Sequence, residues 1–95
     1  MTKADIVAKI SEKLGIEKGD VQATVETFMS EVKTSLEGGN NVYLRGFGSF
    51  IIKSRAEKTG RNISKNITIK IPAHNIPAFK PAKIFVENIK ANVKL

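Results

Sequence analysis

The apolar residues of this chain change their period near residue 40, and that change most constrains the fold. Up to Leu36 they recur every three or four positions. Ile6, Val7, Ile10 and Leu14 make one stripe, and Val21, Val25, Phe28, Met29, Val32 and Leu36 make a second, longer one. Such spacing puts each set on one face of a helix. Gly38-Gly39-Asn40-Asn41 then interrupts, and Val42 and Leu44 alternate with Tyr43 and Arg45, the two-residue period of a strand. Helices first and strands after, in separate blocks, indicate an α+β fold.

Local signals sharpen the boundaries. Thr2 is suited to cap the first helix, with Asp5 three residues on as a variant capping box, and Gly15 supplies the stop. A second helix begins between Glu17 and Asp20 and ends near Glu37; the short link makes the two helices antiparallel neighbours. Gly46-Phe47-Gly48 is a tight reversal that leads into Ser49-Phe50-Ile51-Ile52-Lys53-Ser54-Arg55, so the first two strands form a hairpin. The Gly46-x-Gly48 pair lacks the third glycine and the following helix of a dinucleotide loop.

Residues 56–72 are polar and basic at first and then alternate, with Ile67, Ile69 and Ile71 on one face. The simplest arrangement is a second hairpin with Asn62 to Asn66 at its tip, an arm over approximately 54–74. It has too few large apolar residues to pack on a body, so it is expected to stand in solvent as a ribbon that orders on a ligand. Pro72 suits a bend, Ile76-Pro77-Ala78-Phe79 returns to the apolar body, and Pro81 fits the first turn of a closing helix marked by Ala82, Phe85, Val86, Ile89 and Val93. With the arm set aside, the remaining body of about 70 residues is near the size at which one core struggles. It nevertheless carries Phe28, Phe47, Phe50, Phe79 and Phe85. A core shared between two chains answers both problems.

Charge is as unevenly placed as hydropathy. Of a net +7, residues 1–52 contribute nothing positive, with six Lys/Arg against seven Asp/Glu. Residues 53–83 hold Lys53, Arg55, Lys58, Arg61, Lys65, Lys70, Lys80 and Lys83 against the single acid Glu57. A concentrated basic segment is the footprint of a polyanion-binding surface; a merely solvated lysine-rich face is the bland alternative.

Other classes fit less well. Without cysteine there is no disulfide framework and no thiolate zinc site, and the ligands for any other metal are too few. No apolar run approaches the roughly 20 residues of a membrane span, and the N-terminus has no signal-peptide pattern, so a reducing, cytoplasmic location is expected. The lone His74 beside Asn75 and Pro77 fits a structural or phosphate-contacting role better than general-base catalysis, and the basic half has no paired carboxylates. No enzyme activity and no cofactor are expected. Asn62-Ile63-Ser64 and Asn66-Ile67-Thr68 match a glycosylation pattern that means nothing without a secretory signal. A basic RNA-binding module would be expected to show exposed aromatics for base stacking. The segment from Lys53 to Ile76 has none, which favours duplex DNA.

In order along the chain stand two helices, Gly46-Phe47-Gly48-Ser49-Phe50, Arg55, Thr59-Gly60-Arg61-Asn62, Pro77-x-Phe79 and Lys83. That order resembles the bacterial HU and integration host factor family across essentially the whole chain. The resemblance implies a single domain over 1–95, an intertwined dimer with a helical base, a three-stranded antiparallel sheet per chain, and β-ribbon arms that enter the DNA minor groove. It implies a nucleoid-associated architectural protein that bends and compacts DNA. By the same resemblance Arg55, Lys58, Arg61 and Asn62 line the arm, and Lys53, Lys65, Lys70, Lys80 and Lys83 neutralise phosphates. Lys3 and the backbone N–H groups from Gly46 to Ser49 touch outer DNA, and Phe47, Phe50 and Phe79 form the dimer core. The family's usual proline after Arg-Asn is Ile63 here, and an isoleucine can replace base stacking as an apolar wedge. Asn66 can supply the left-handed turn conformation that a tip glycine would give. General binding and site-preferring bending both fit the sequence, as do a homodimer and a heterodimer with a paralogue.

Overall fold

Both helical stripes fold as their spacing requires. In the computed structural model, which describes residues 1–62, 64 and 67–95, α1 spans Lys3–Leu14 and α2 spans Lys18–Glu37. Thr2 caps α1 reciprocally: its hydroxyl accepts the Asp5 N–H at 3.3 Å, and the Asp5 carboxylate accepts the Thr2 N–H at 2.9 Å. The Gly15 N–H closes the helix on the Ser11 carbonyl at 2.9 Å. The backbone and then the hydroxyl of Thr2 hold the Asp5 carboxyl below its usual range. That contribution is present at neutral pH and is lost as the pH falls through the lowered value. Two compact units divide the chain, Met1–Ser35 and Leu36–Leu95. Among the described hydrophobic residues only Val7 and Val21, 2% and 4% exposed, are fully buried.

The second unit holds β1 (Val42–Leu44), β2 (Gly48–Arg55), β3 (Lys58–Asn62), β4 (Ile67–Ile71), β5 (His74–Pro81) and α3 (Lys83–Asn92). β1, β2 and β5 form a three-stranded antiparallel sheet with β2 in the centre, and β3 and β4 form a two-stranded antiparallel ribbon. The fold is α+β, as expected. The β1–β2 turn is closed by the Phe47 N–H on the Leu44 carbonyl at 3.0 Å, with Gly46 at φ 81°, a left-handed conformation that favours glycine.

Register sorts the side chains. Phe50 pairs with Val42 on one side and Phe79 on the other, and Ile52 pairs with Pro77. The intervening rows, Tyr43–Ser49–Lys80, Ile51–Ala78, Lys53–Ile76 and Arg55–His74, lie on the opposite face because successive strand residues alternate. The ladder opens after Arg55↔His74 and closes again at Lys58↔Ile71, three residues further on one strand and three back on the other. The register therefore continues across the gap without a bulge. Pro72, which has no N–H to donate, sits in that gap.

One expectation is corrected. Pro81 does not begin the closing helix; it ends β5 opposite Gly48, and α3 starts at Lys83 behind Ala82, whose N–H donates to the Phe47 carbonyl at 2.9 Å. The reason is that β5 is an edge strand within the chain, where a proline sacrifices no ladder bond on its open side.

Gly48 is the tightest point of the sheet. A Cβ there would stand 2.6 Å from the Lys80 carbonyl oxygen and 2.6 Å from the Phe79 ring, and the first of these is backbone that cannot swing away. Gly48→Ala is expected to cost about 1–3 kcal/mol, the range for overpacking a close-packed site. The measurement is the urea midpoint at fixed protein concentration, and an unchanged midpoint would contradict the close approach.

Candidate nucleic-acid interface

The register assembles the basic residues into a surface. Ser49, Lys53, Arg55 and Lys80 share one face of the three-stranded sheet, away from Phe50 and Phe79. The cations on it are exposed. At one end of this face Tyr43, Arg45, Gly46, Ser49, Lys80 and Lys83 line a concavity of about 530 Å³. Lys83 opens α3, whose N-cap Ala82 offers no capping side chain, so its first N–H groups add positive potential beside the lysines.

The other face carries the aromatics. The Phe50 and Phe79 rings lie 5.0 Å apart, Phe47 is 5.1 Å from Phe79, and Phe85 stacks on Phe47 at 5.7 Å. Phe47 is 48% exposed and Phe79 39%, so the chain alone does not cover this cluster.

The ribbon divides its residues in the same way. Lys58 and Gly60 pair with Ile71 and Ile69 on one face, while Thr59 and Arg61 pair with Lys70 and Thr68 on the other. β4 is exposed along its whole length, as an arm without a core would be. Lys58 and Arg61 thus lie on opposite faces of the ribbon, as their odd spacing within one strand requires. Lys70 meets Glu57 at 3.5 Å, so the one acid of the basic segment has a partner on the arm. The Asn62 backbone pairs with Ile67. The proposed wedge Ile63, together with Lys65 and the turn residue Asn66, lies outside the described residues.

Lys3 belongs to the first unit. Its ammonium lies 2.9 Å from Glu26, which also accepts from Gln22 at 3.2 Å. The Lys3 hydrogen bond, then Gln22, then the Lys3 charge hold the Glu26 carboxyl below its usual range. The site as read from the sequence left out Tyr43 and Arg45, and gave His74 a structural or phosphate-contacting role. Alternation from the Gly46–Gly48 turn would have put Tyr43 in step with Ser49. His74 pairs with Arg55, and its Nδ1 lies 2.9 Å from the Pro72 carbonyl, at the gap between sheet and ribbon.

The bacterial DNA-binding protein family model matches residues 1–90. The chain belongs to the bacterial DNA-binding protein family. Members similar to it include DNA-binding protein HU of Thermus thermophilus, 39% identical over 95% of this chain and 93% of that one. Integration host factor subunit alpha of Aliivibrio fischeri is 41% identical over 94% of each chain. Among solved structures, the Anabaena HU–DNA cocrystal covers 99% of this chain and 100% of that one at 31% identity, with a TM-score of 0.87. HU from Thermotoga maritima superposes with a TM-score of 0.65 at 25% identity over 94% of this chain and 98% of that one. The family resemblance read from the Gly-Phe-Gly-x-Phe turn and the Gly-Arg-Asn arm is therefore correct, and so is the α+β, HU-like chain fold that it implied.

Proposed function

We propose that this member of the family is an architectural protein that binds double-stranded DNA as a dimer, bends it through the minor groove and compacts it. The observation that carries the reading is the sorting of one sheet into a face with Lys53, Arg55 and Lys80 and a face with uncovered phenylalanines. Cations on one side suit phosphates, and apolar rings on the other suit a second subunit. The contacts assigned by resemblance are Gly46, Ser49, Lys53, Arg55, Lys80 and Lys83 on the sheet and its turns, Lys58, Arg61, Asn62, Lys65 and Lys70 on the arm, and Lys3 on outer DNA after exchange from Glu26. The arm, approximately 54–74, and the body then act as one domain over 1–95. The protein works by binding alone, without catalysis, and its place is the nucleoid in the cytoplasm.

Two measurements test this directly. Sedimentation at micromolar concentration should give a mass near twice 10.4 kDa. A folded monomer there would overturn the shared core. With two chains, roughly 6–10 phosphates would be neutralised, giving a log–log salt slope of about −5 to −9. Lys53→Glu or Lys83→Glu should weaken binding on every duplex alike and make that slope shallower. A wild-type slope near zero would show that the basic segment is not the binding surface.

Bending is tested at Ile63. If its side chain takes the place of lost base stacking, Ile63→Ala should reduce the bend angle measured by energy transfer across one labelled duplex. Affinity for straight DNA should fall only modestly, because the phosphate contacts remain. Preference for nicked or pre-bent DNA should change more, since such sites have already met part of the few kcal/mol of unstacking. An alanine variant that bends as strongly as wild type would mean that the arm grips without wedging.

A further inference from the structure

Tyr43 is the chain's one tyrosine, and there is no tryptophan. It is 73% exposed, on β1, and its row continues through Ser49 to Lys80 on the cationic face. An aromatic side chain on a water-facing surface needs a reason when apolar residues of the same chain are already short of cover. Its hydroxyl is held by a fixed neighbour. The Ile52 backbone N–H lies 3.0 Å from the side-chain oxygen of Asn41, and the Asn41 amide nitrogen lies 3.4 Å from the Tyr43 oxygen.

The direction of those two bonds can be deduced. A backbone N–H can only donate, so the Asn41 atom facing it must be the carbonyl oxygen, and the atom facing Tyr43 must be the NH₂ group. The amide has no acceptor to offer on that side, so the tyrosine oxygen accepts from Asn41. The phenolic proton is not used in this bond. It is available to an acceptor on the same face, where Lys80 and the concavity bounded by Arg45 and Lys83 favour an anionic one.

We infer that Tyr43 is a contact residue of the DNA surface, donating its hydroxyl to a backbone phosphate oxygen while its ring lies against the adjoining deoxyribose. Asn41 is the positioning residue that fixes the hydroxyl in the donor role. This inference rests on the DNA-binding reading and adds a contact that neither the basic-residue pattern nor the arm supplies. The contact is neutral, so it adds affinity without releasing counterions; lysine contacts instead steepen the salt slope.

The test uses the full-length protein and a fluorescein-labelled duplex of mixed sequence. Anisotropy of the label reads binding independently of Tyr43, whose own emission is read in parallel with unlabelled duplex. Wild type should show a change in tyrosine emission that saturates together with the anisotropy. Tyr43→Phe keeps the ring and should weaken binding about threefold to tenfold, as expected for one hydrogen bond to a charged group, with the salt slope unchanged. Asn41→Ala should weaken binding by a smaller factor, while Lys80→Ala should weaken it and make the slope shallower. Circular dichroism and the urea midpoint confirm that each variant is folded. Tyrosine emission that stays constant at full saturation overturns the contact, and so does Tyr43→Phe binding equal to wild type; the DNA-binding reading stands in either case. Failure of wild type to bind the labelled duplex overturns that reading and the contact together.

Discussion

The uncovered aromatic face of the three-stranded sheet governs the rest of the molecule. Phe47, Phe50, Phe79 and Phe85 form a connected set of rings, yet two of them remain 39% and 48% exposed. A phenylalanine left half in water forgoes roughly 1 kcal/mol of the burial it could have. Phe28, Met29, Ile84 and Ile89 are exposed as well. Several such shortfalls together rival the whole stability of a small domain, about 5–15 kcal/mol. A partner subunit that covered them would contribute at the scale of folding itself.

That same face dictates where the charges stand. Once Phe50 and Phe79 are committed to one side, alternation leaves Ser49, Lys53, Arg55 and Lys80 no choice but the other. The unbroken register carries the alternation past Pro72 into the ribbon, so Thr59, Arg61, Thr68 and Lys70 continue the cationic side by count. Ile67, Ile69 and Ile71 continue the apolar side, but β4 is exposed throughout and there is no core for them to join. A two-stranded ribbon on its own is marginally stable. Its described strands pair along the backbone and the β4 side chains are exposed, a combination that on the proposed reading suits a segment whose full order comes with a ligand.

Much of this was legible in the sequence because it rests on periodicity. The change at Asn41 gave both helices and the order of the strands, and Thr2, Asp5 and Gly15 gave the first helix its ends. Pro81 was misplaced because its fixed φ serves the end of an edge strand as well as a helix start, and only pairing with Gly48 decides between them. The site was legible as a list of cations but not as a surface. Strand alternation separates Lys58 from Arg61 once β3 is known to be a strand, but sequence spacing could not show that Lys3 is held by Glu26 across 23 residues. Tyr43 went unseen because attention to charge passes over a neutral donor.

The arrangement also bears on what kind of DNA recognition is open to such a protein. Phosphate contacts fix position and carry no sequence information directly. The minor groove distinguishes little beyond A·T from G·C pairs. On the proposed reading, a surface whose lysines, arginines and tyrosine hydroxyl meet backbone oxygens discriminates mainly through the work of deforming the duplex, which differs among base steps. On the proposed reading, the body sets how far DNA must curve to reach Lys53, Lys80 and Lys83, and the arm sets where the curve is sharpest. Ile63 lacks proline's fixed φ, so ordering its tip costs more backbone entropy than in a proline-bearing arm. The cost would fall alike on every duplex, whereas the reward is largest where a step already yields. Nicked, flexible or pre-bent DNA would then be favoured over straight DNA without any base being read.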